Sequence, residues 1–439
     1  MSVTSYSVSH VSTGDTGHHI THSNMSPHNT HHINNIRIFD DHASLPRHHI
    51  YFKDSRHNIE LPFTADLMYY KAHRGNNSEF EFRASGAYIF RPDGDDAISF
   101  GPSDEETVSG PVYDELIRFY SDWVSQTIRL YHDDEDDLVE VGWRVGPIPV
   151  DDGEGKEVIV RFCSSLANDG IFFTDSNGRQ MVERRLNVRP DYEINMTEPT
   201  AQNYYPVNSK ILIHDSTNQM AVLTDRSQAG SSLTDGCVEL MVHRRLLDDD
   251  AFGVGEALNE VAYGQGLVAV GKHMVIIDND EENFSRKHRL EAMNIYHEPL
   301  VIFGDLQQGF NFPSTPQLSS ALPDNIHILT LKTISMQDNV FGKYLFLQLE
   351  HIFQSDEHQQ WSQSVDVDLE TMFDFTSINV KSYKETTLGG NMWLEDLQRL
   401  SFNKDSNKIP SLDMKKEDPA PWTITMNAMD IRSFIIEYI

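Results

Sequence analysis

NYYPVNSKILIHDSTNQMAVLTDRSQAGSSLTDGCVELMVHRRLLDDD occupies residues 203–250, and its reading sets the fold class. ILIHD, MAVLTD and CVELMVHRR are short runs rich in Ile, Val and Leu, set off by polar turn residues, which is the pattern of β-strands. Toward the N-terminus the pattern continues. GIFFTDSNGRQMVERR reads as a strand with Ser-Asn-Gly as its turn, and TIRLYHDDEDDLVEVGWRVGPIPV as a hairpin whose acidic cluster HDDEDD makes the solvated tip. SGAYIFRPDGDD predicts a strand closed by a Pro-Asp-Gly turn, and IELPFTADLMYYKAH alternates imperfectly. PVYDELIRFYSDW brings Val112, Leu116 and Phe119 near one helical stripe, yet suits an edge strand equally. Many strands at short spacing, without βα alternation, predict antiparallel sandwiches.

Toward the C-terminus, the stretch Phe310–Pro323 is rich in Pro, Ser and Gln and marks a domain boundary. Beyond it NIHILTLKTISMQDNVFGKYLFLQLEHIF alternates as two strands, and VDVDLETMF, TSINVKSYKETTL and PWTITMNAMDIRSFIIEYI supply more. At the other end, twelve of the 21 histidines lie at or before His73, among Ser, Asn and Thr. Imidazoles in such a run can take up Zn²⁺ or Ni²⁺, but a structural site needs fixed geometry, so a flexible polar leader is expected. The expected organisation is a leader over 1–58, a large β-sandwich domain over 59–318 and a smaller one over 319–439. The fold class is mainly β: a large antiparallel sandwich (a supersandwich), a smaller C-terminal sandwich, and a disordered N-terminal leader.

A hydrophobic share of 39% and an aromatic share of 10% suffice for real cores, and 439 residues exceed one ordinary domain. The formal charge of −32 argues against nucleic acid, since phosphate binding needs clustered Lys and Arg. It suits an acidic compartment, where protonation relieves the self-repulsion. No apolar run approaches the ~20 residues of a membrane helix. The start after Met1 is polar throughout and carries no secretory signal. Cys163 and Cys237 are the two cysteines; one disulfide is possible, but two separate thiols are the expectation from the count. Asn-x-Ser/Thr acceptors for glycosylation begin at Asn24, Asn76, Asn195 and Asn283.

Several blocks resemble, in sequence and in order, the C-terminal half of the lysosomal-type α-mannosidases of glycoside hydrolase family 38. They are ASGAYIFRP (84–92), VGPIPVDDGEGKEVIVRF (145–162), FFTDSNGR (172–179), the opening stretch, LEHIF (349–353) and MDIRSF (429–434). LTDRSQAGSS with ELMVHRRLL favours the lysosomal branch over the Golgi one. The resemblance implies a chain that starts mid-protein, a parent in the lysosome or secretory pathway, and Asn195 in a glycosylated loop. It implies retaining hydrolysis of α-mannosyl oligosaccharides by an Asp nucleophile, an Asp acid/base and one Zn²⁺, all in an N-terminal α/β-barrel. The family's His-x-Asp zinc pair before a Gly-Trp run, its Asp-Pro-Phe-Gly-His block and its His-His-Asp-Ala block do not occur here. No catalytic residue and no metal ligand is therefore assigned within this chain, nor any bound cofactor. His132-Asp133-Asp134, the one His-x-Asp, reads as part of the solvated turn.

For this half, the resemblance implies a wall of the sugar pocket, with Tyr88 and Arg245 at the matching positions. A tyrosine ring packs on a sugar face while its hydroxyl orders sugar OH groups, and an arginine can fix a loop against the barrel. Read without the family, Tyr88 is a half-buried strand tyrosine, and Arg244-Arg245 with Asp248, Asp249 and Asp250 a surface ion-pair cluster. Phe252 stands where the family pattern has an arginine before Gly253, so Asp249 or Asp250 is expected to lose a partner. Three readings follow: the C-terminal portion of a mannosidase, inactive alone; a non-catalytic, lectin-like carbohydrate-binding sandwich; or a subunit that docks onto a separate catalytic chain.

Overall fold

A computed structural model describes residues 36–37, 50–54, 59–132, 138–299, 322–334, 344–369, 372, 380–398 and 422–438. Most of the His-rich leader, Asn24, the hairpin tip at 133–137 and most of the Phe310–Pro323 stretch lie outside them. The described residues divide into two compact units, one within Ser23–Pro299 and one within Leu300–Ile439.

The first unit is built on two large antiparallel sheets. Neighbours in the eight-stranded sheet run Ile36–Arg37, Ile50–Asp54, Ile59–Lys71, Lys156–Ser164, Cys237–Arg245, Gln228–Ser231 and Tyr205–Val207, with Ile98–Ser99 paired to Ile59–Lys71. The nine-stranded sheet runs Gln180–Arg185, Ile171–Ser176, Lys210–His214, Gln219–Thr224, Ala269–Asp278, Leu138–Val145, Val124–Tyr131, Tyr113–Ser121 and Asp104–Ser109. Every second residue of the inner strands points into one shared core. Phe63, Ala65 and Leu67, Val158, Val160 and Phe162 enter it from the first sheet; Val139, Val141, Ile211, Ile213, Val275 and Ile277 enter from the second. The stretch 111–123, open between helix and strand, contains the strand Tyr113–Ser121, held in register on both sides.

The runs Ile211–Ile213, Ala221–Leu223 and Val275–Ile277 are buried at every residue. Leu212, Ala221, Leu223 and Ile276 point away from the sandwich and meet Phe284 of an α-helix, Glu281–Tyr296. This helix is absent from the sequence reading. Its buried stripe is Phe284, Ser285, His288, Arg289 and Ala292, which has helical spacing but is mostly polar, so no apolar period reveals it. Its start carries the usual signal: the Asp280 side chain accepts from the N–H of Glu282 and Asn283.

The second unit pairs Ile326–Ile334, Tyr344–His351, Ile431–Tyr438 and Val380–Thr386 in one sheet, and Val365–Asp368 with Thr423–Met426 in a ribbon. Leu345, Leu347, Leu349, Phe434 and Ile436 of the sheet pack with Val367, Ile424 and Met426 of the ribbon. Among the described residues no helix is long and apolar enough to cross a membrane.

Cys163 and Cys237 form a disulfide, which corrects the expectation of two thiols. The physical reason is register. The two residues face each other directly across the strands Lys156–Ser164 and Cys237–Arg245.

Candidate functional site

The outer face of the eight-stranded sheet carries the segment around Tyr88. It is an irregular loop and not the strand expected from SGAYIFRPDGDD. The loop closes on itself: Gly86 N–H donates to Ile89 O (2.9 Å) and Arg91 N–H to Ser85 Oγ (3.0 Å). Phe90 seats it on the sheet, edge-on to Tyr70 (5.7 Å between centroids) and Tyr204 (4.7 Å). Gly86 is required, because a Cβ there would lie 2.6 Å from atoms of Asp250. Asp250, fully buried, enters the space so left. Its Oδ2 accepts from the N–H of Tyr88 (2.6 Å) and of Ile89 (3.0 Å), and its Oδ1 from Phe252 N–H (3.1 Å). The Tyr88 main chain is thus pinned while its side chain stands 66% exposed, in contrast to a half-buried strand tyrosine.

Arg244 and Arg245 end the strand Cys237–Arg245, opposite Glu157 and Lys156. The expected ion-pair cluster with the Asp triplet does not form. Arg244 instead donates to Glu157 Oε1 (2.6 Å) and to Ile89 O (2.9 Å), so it ties the Tyr88 loop to the sheet. Arg245 donates to Ile148 O (2.6 Å) and Asn259 Oδ1 (2.7 Å), and its guanidinium lies against Gly266, where a Cβ would meet Nη1 at 2.4 Å. Asp248 pairs with Arg74 (3.0 Å). At the Phe252 departure, the Arg83 guanidinium lies 4.3 Å over the Phe252 ring and donates to the carbonyls of Asp250 and Ala251. Of the two carboxylates in question, Asp250 is fully engaged, and Asp249 Oδ1 is buried without a hydrogen-bond partner.

Beneath the loop lie residues the sequence reading missed. Glu157 is closed to solvent; burial pushes its carboxyl up from the usual range against the pull of Arg244, and its Oε2 has no hydrogen-bond partner. Glu239 accepts from Tyr70 OH (2.8 Å), from Arg161 Nε (2.8 Å) and from Tyr204 OH. Burial first, then the Glu239 charge, raises both tyrosine hydroxyls. The signal available was a charge inside an apolar strand: KEVIVRF for Glu157 and Arg161, CVEL for Glu239. Both carboxylates are sealed and engaged by cations, an arrangement that holds geometry and is closed to proton exchange with a substrate.

His132, half of the candidate His-x-Asp, sits 3.3 Å from Asp114 Oδ2. Among the described residues no group of three or more His, Cys, Asp or Glu side chains is placed to hold a metal ion, so a zinc finds no ligand set there. Asn76 and Asn195 are exposed in loops. Asn283 lies in the first turn of the helix and donates its amide to Asp278 Oδ2 (2.6 Å).

The fold and site together define an antiparallel β-sandwich scaffold that displays a pinned tyrosine loop beside the end of an arginine-bearing strand. Residues 49–252 match the family described as glycosyl hydrolases family 38 C-terminal domain. Lysosomal alpha-mannosidase of Bos taurus is 41% identical over 390 residues, covering 86% of this chain and 37% of the relative. Lysosomal alpha-mannosidase of Homo sapiens is 39% identical over 382 residues, covering 85% and 36%. The chain thus spans little more than a third of the length of these curated relatives, corresponding to their C-terminal portion. An alpha-mannosidase from Enterococcus faecalis V583 shares the fold, with a TM-score of 0.57 at 13% identity over 93% of this chain and 42% of that one.

Proposed function

We propose that this chain supplies the β-domain wall of the sugar pocket in a lysosomal-type α-mannosidase, one that removes terminal α-D-mannose from N-glycan oligosaccharides with retention. Tyr88 and Arg245 belong to the rim of that pocket. A catalytic barrel outside these 439 residues, in the same polypeptide or in another, provides the nucleophile, the acid/base and the zinc ligands. The parent enzyme resides in the lysosome or the secretory pathway, and the Cys163–Cys237 disulfide is in keeping with an oxidising route.

The observation that carries this reading is the Asp250 anchor: it fixes the Tyr88 main chain and leaves the ring free to pack on a sugar face. Arg245, its guanidinium engaged by Ile148 and Asn259, fixes the chain that leads into the Asp triplet. Phe80, Phe82, Phe252 and Val254 are exposed by 70%, 51%, 47% and 44%, an apolar surface suited to being covered by protein.

The test is hydrolysis of an aryl α-mannoside in the presence of Zn²⁺. The purified chain alone is expected to give no turnover. Combined with a barrel-bearing partner it is expected to give turnover that falls with Tyr88→Ala. Turnover by the chain alone overturns the reading. Mannose affinity with no catalytic partner would identify a lectin-like module instead, and co-purification with a separately encoded catalytic chain a docking subunit.

A further inference from the structure

Gly142 lies inside Leu138–Val145, a central strand of the nine-stranded sheet, where glycine weakens the strand and often marks a close approach by something else. Val141 and Trp143 face the sandwich core, so Gly142 belongs to the opposite face. Its direct cross-strand neighbours are Thr127 and Lys272; one row along, Arg144 lies between Ser125 and Val270. The absent side chain leaves a hollow at the centre of this grid, and the Thr127 hydroxyl leans over it, 2.4 Å from where a Cβ would be. The hollow opens into a groove of about 500 Å³, closed at one side by Ile295 and Glu298 at the end of the helix.

The lining has a definite chemistry. Among the described residues the hydroxyls of Ser125 and Thr127 and the guanidinium of Arg144 have no hydrogen-bond or ion-pair partner. Lys272 pairs with Glu298, and Arg129 with Glu140 (2.9 Å). Three cations (Arg129, Arg144, Lys272) and three anions (Glu140, Asp225, Glu298) line the space, with Asp225 also paired to Arg226. A ligand of one sign meets repulsion from half of them. A neutral ligand rich in hydroxyls meets none, since each OH both donates to a carboxylate and accepts from a cation or hydroxyl. The volume falls within the roughly 300–1,000 Å³ of small-molecule sites.

We propose that this groove is a saccharide-binding site that takes a short neutral oligosaccharide, on a different sheet from Tyr88 and Arg245 and independent of the catalytic role proposed above. The test is saturation-transfer NMR titration of the 439-residue chain with a branched trimannoside. Saturable binding is expected, weakened at least fivefold by Arg144→Ala and by Thr127→Val, each with an unchanged thermal midpoint, and unaltered by Tyr88→Ala. Three results would overturn the proposal. One is no saturable binding by the unaltered chain. Another is binding indifferent to Arg144 and Thr127, or lost with Tyr88→Ala. The last is displacement by inorganic phosphate at equal concentration, which would mark an anion site.

Discussion

Asp250 and Tyr88 are separated by 162 positions, yet the buried carboxylate of one accepts the main-chain N–H of the other at 2.6 Å. The bond joins the two segments that the proposed function assigns to one wall. It leaves the tyrosine side chain unencumbered, because the anchor acts on the backbone alone.

Asp250→Ala leaves the N–H groups of Tyr88, Ile89 and Phe252 without their acceptor. The expected loss is about 1–3 kcal/mol of stability, the cost of unsatisfied buried donors. Asp250→Asn, which keeps one acceptor oxygen, is expected to lose less. Urea unfolding gives the magnitude, and amide exchange at Tyr88 and Ile89 shows whether the loop opens before the sheet does.

Arg244→Ala strands the Glu157 carboxylate in the interior, and about 3–5 kcal/mol of destabilisation is expected near neutrality. Burial already raises the Glu157 carboxyl, and without Arg244 it rises further. A folded-state value above the unfolded one contributes stability that is present below the usual carboxylate range and lost as pH rises through the folded value. The variant should therefore be less impaired at pH 4 than at pH 7. Equal impairment at both would show that Glu157 does not take up a proton.

The legible parts of this chain were those whose causes are local. The hairpin Ile171–Arg185 turns on Asn177 and Gly178, both at positive φ, and Ser-Asn-Gly announces it. In the second unit VDVD and TITM alternate openly, and Val367, Ile424 and Met426 enter its core. The illegible parts depend on partners far away in sequence. AYIF is β-prone, but Asp250 and Arg244 hold it as a loop. A count of two cysteines says nothing about register. The helix hides because Ser285, His288 and Arg289 occupy the places where an apolar stripe would show, and its remaining clue, the Asp280 cap, is a single residue.

The Cys163–Cys237 link ties two neighbouring strands of the sheet that carries the candidate site. Replacing both cysteines by alanine is expected to cost about 2–4 kcal/mol, mostly by freeing the unfolded chain. A reductant titration followed by thermal unfolding should show the unaltered protein converging on the variant. No difference between them would mean the link is not formed in solution.

Secretion from a glycosylating host should separate the acceptor asparagines. Asn195, exposed in a loop, is expected to carry glycan. Asn283 is expected to stay unmodified once the helix forms, because its amide nitrogen is engaged by Asp278. Peptide mass spectrometry after deglycosylation in heavy water reads both sites. Modification at Asn283 would show that glycan transfer precedes formation of this helix.

His273 is wholly buried between Trp143 and Phe162, and its Nε2 meets Gln228 Oε1 at 2.8 Å. Burial pushes its pKa down to about 3. A group lowered on folding contributes stability that is fully present above its unfolded value, near 6.5, and is lost as pH falls toward the folded one. The loss runs at about 1.4 kcal/mol per pH unit for each such proton. His288, on the helix, is lowered by the same cause, so two protons act together. His273→Gln removes one of them. At pH 7 the variant is expected to be the less stable protein, with a packing defect beside Trp143. As pH falls toward 4 the gap to the unaltered chain should narrow along that slope, read by urea unfolding at each pH. A gap that stays constant would mean that His273 is protonated in the folded state or reaches solvent.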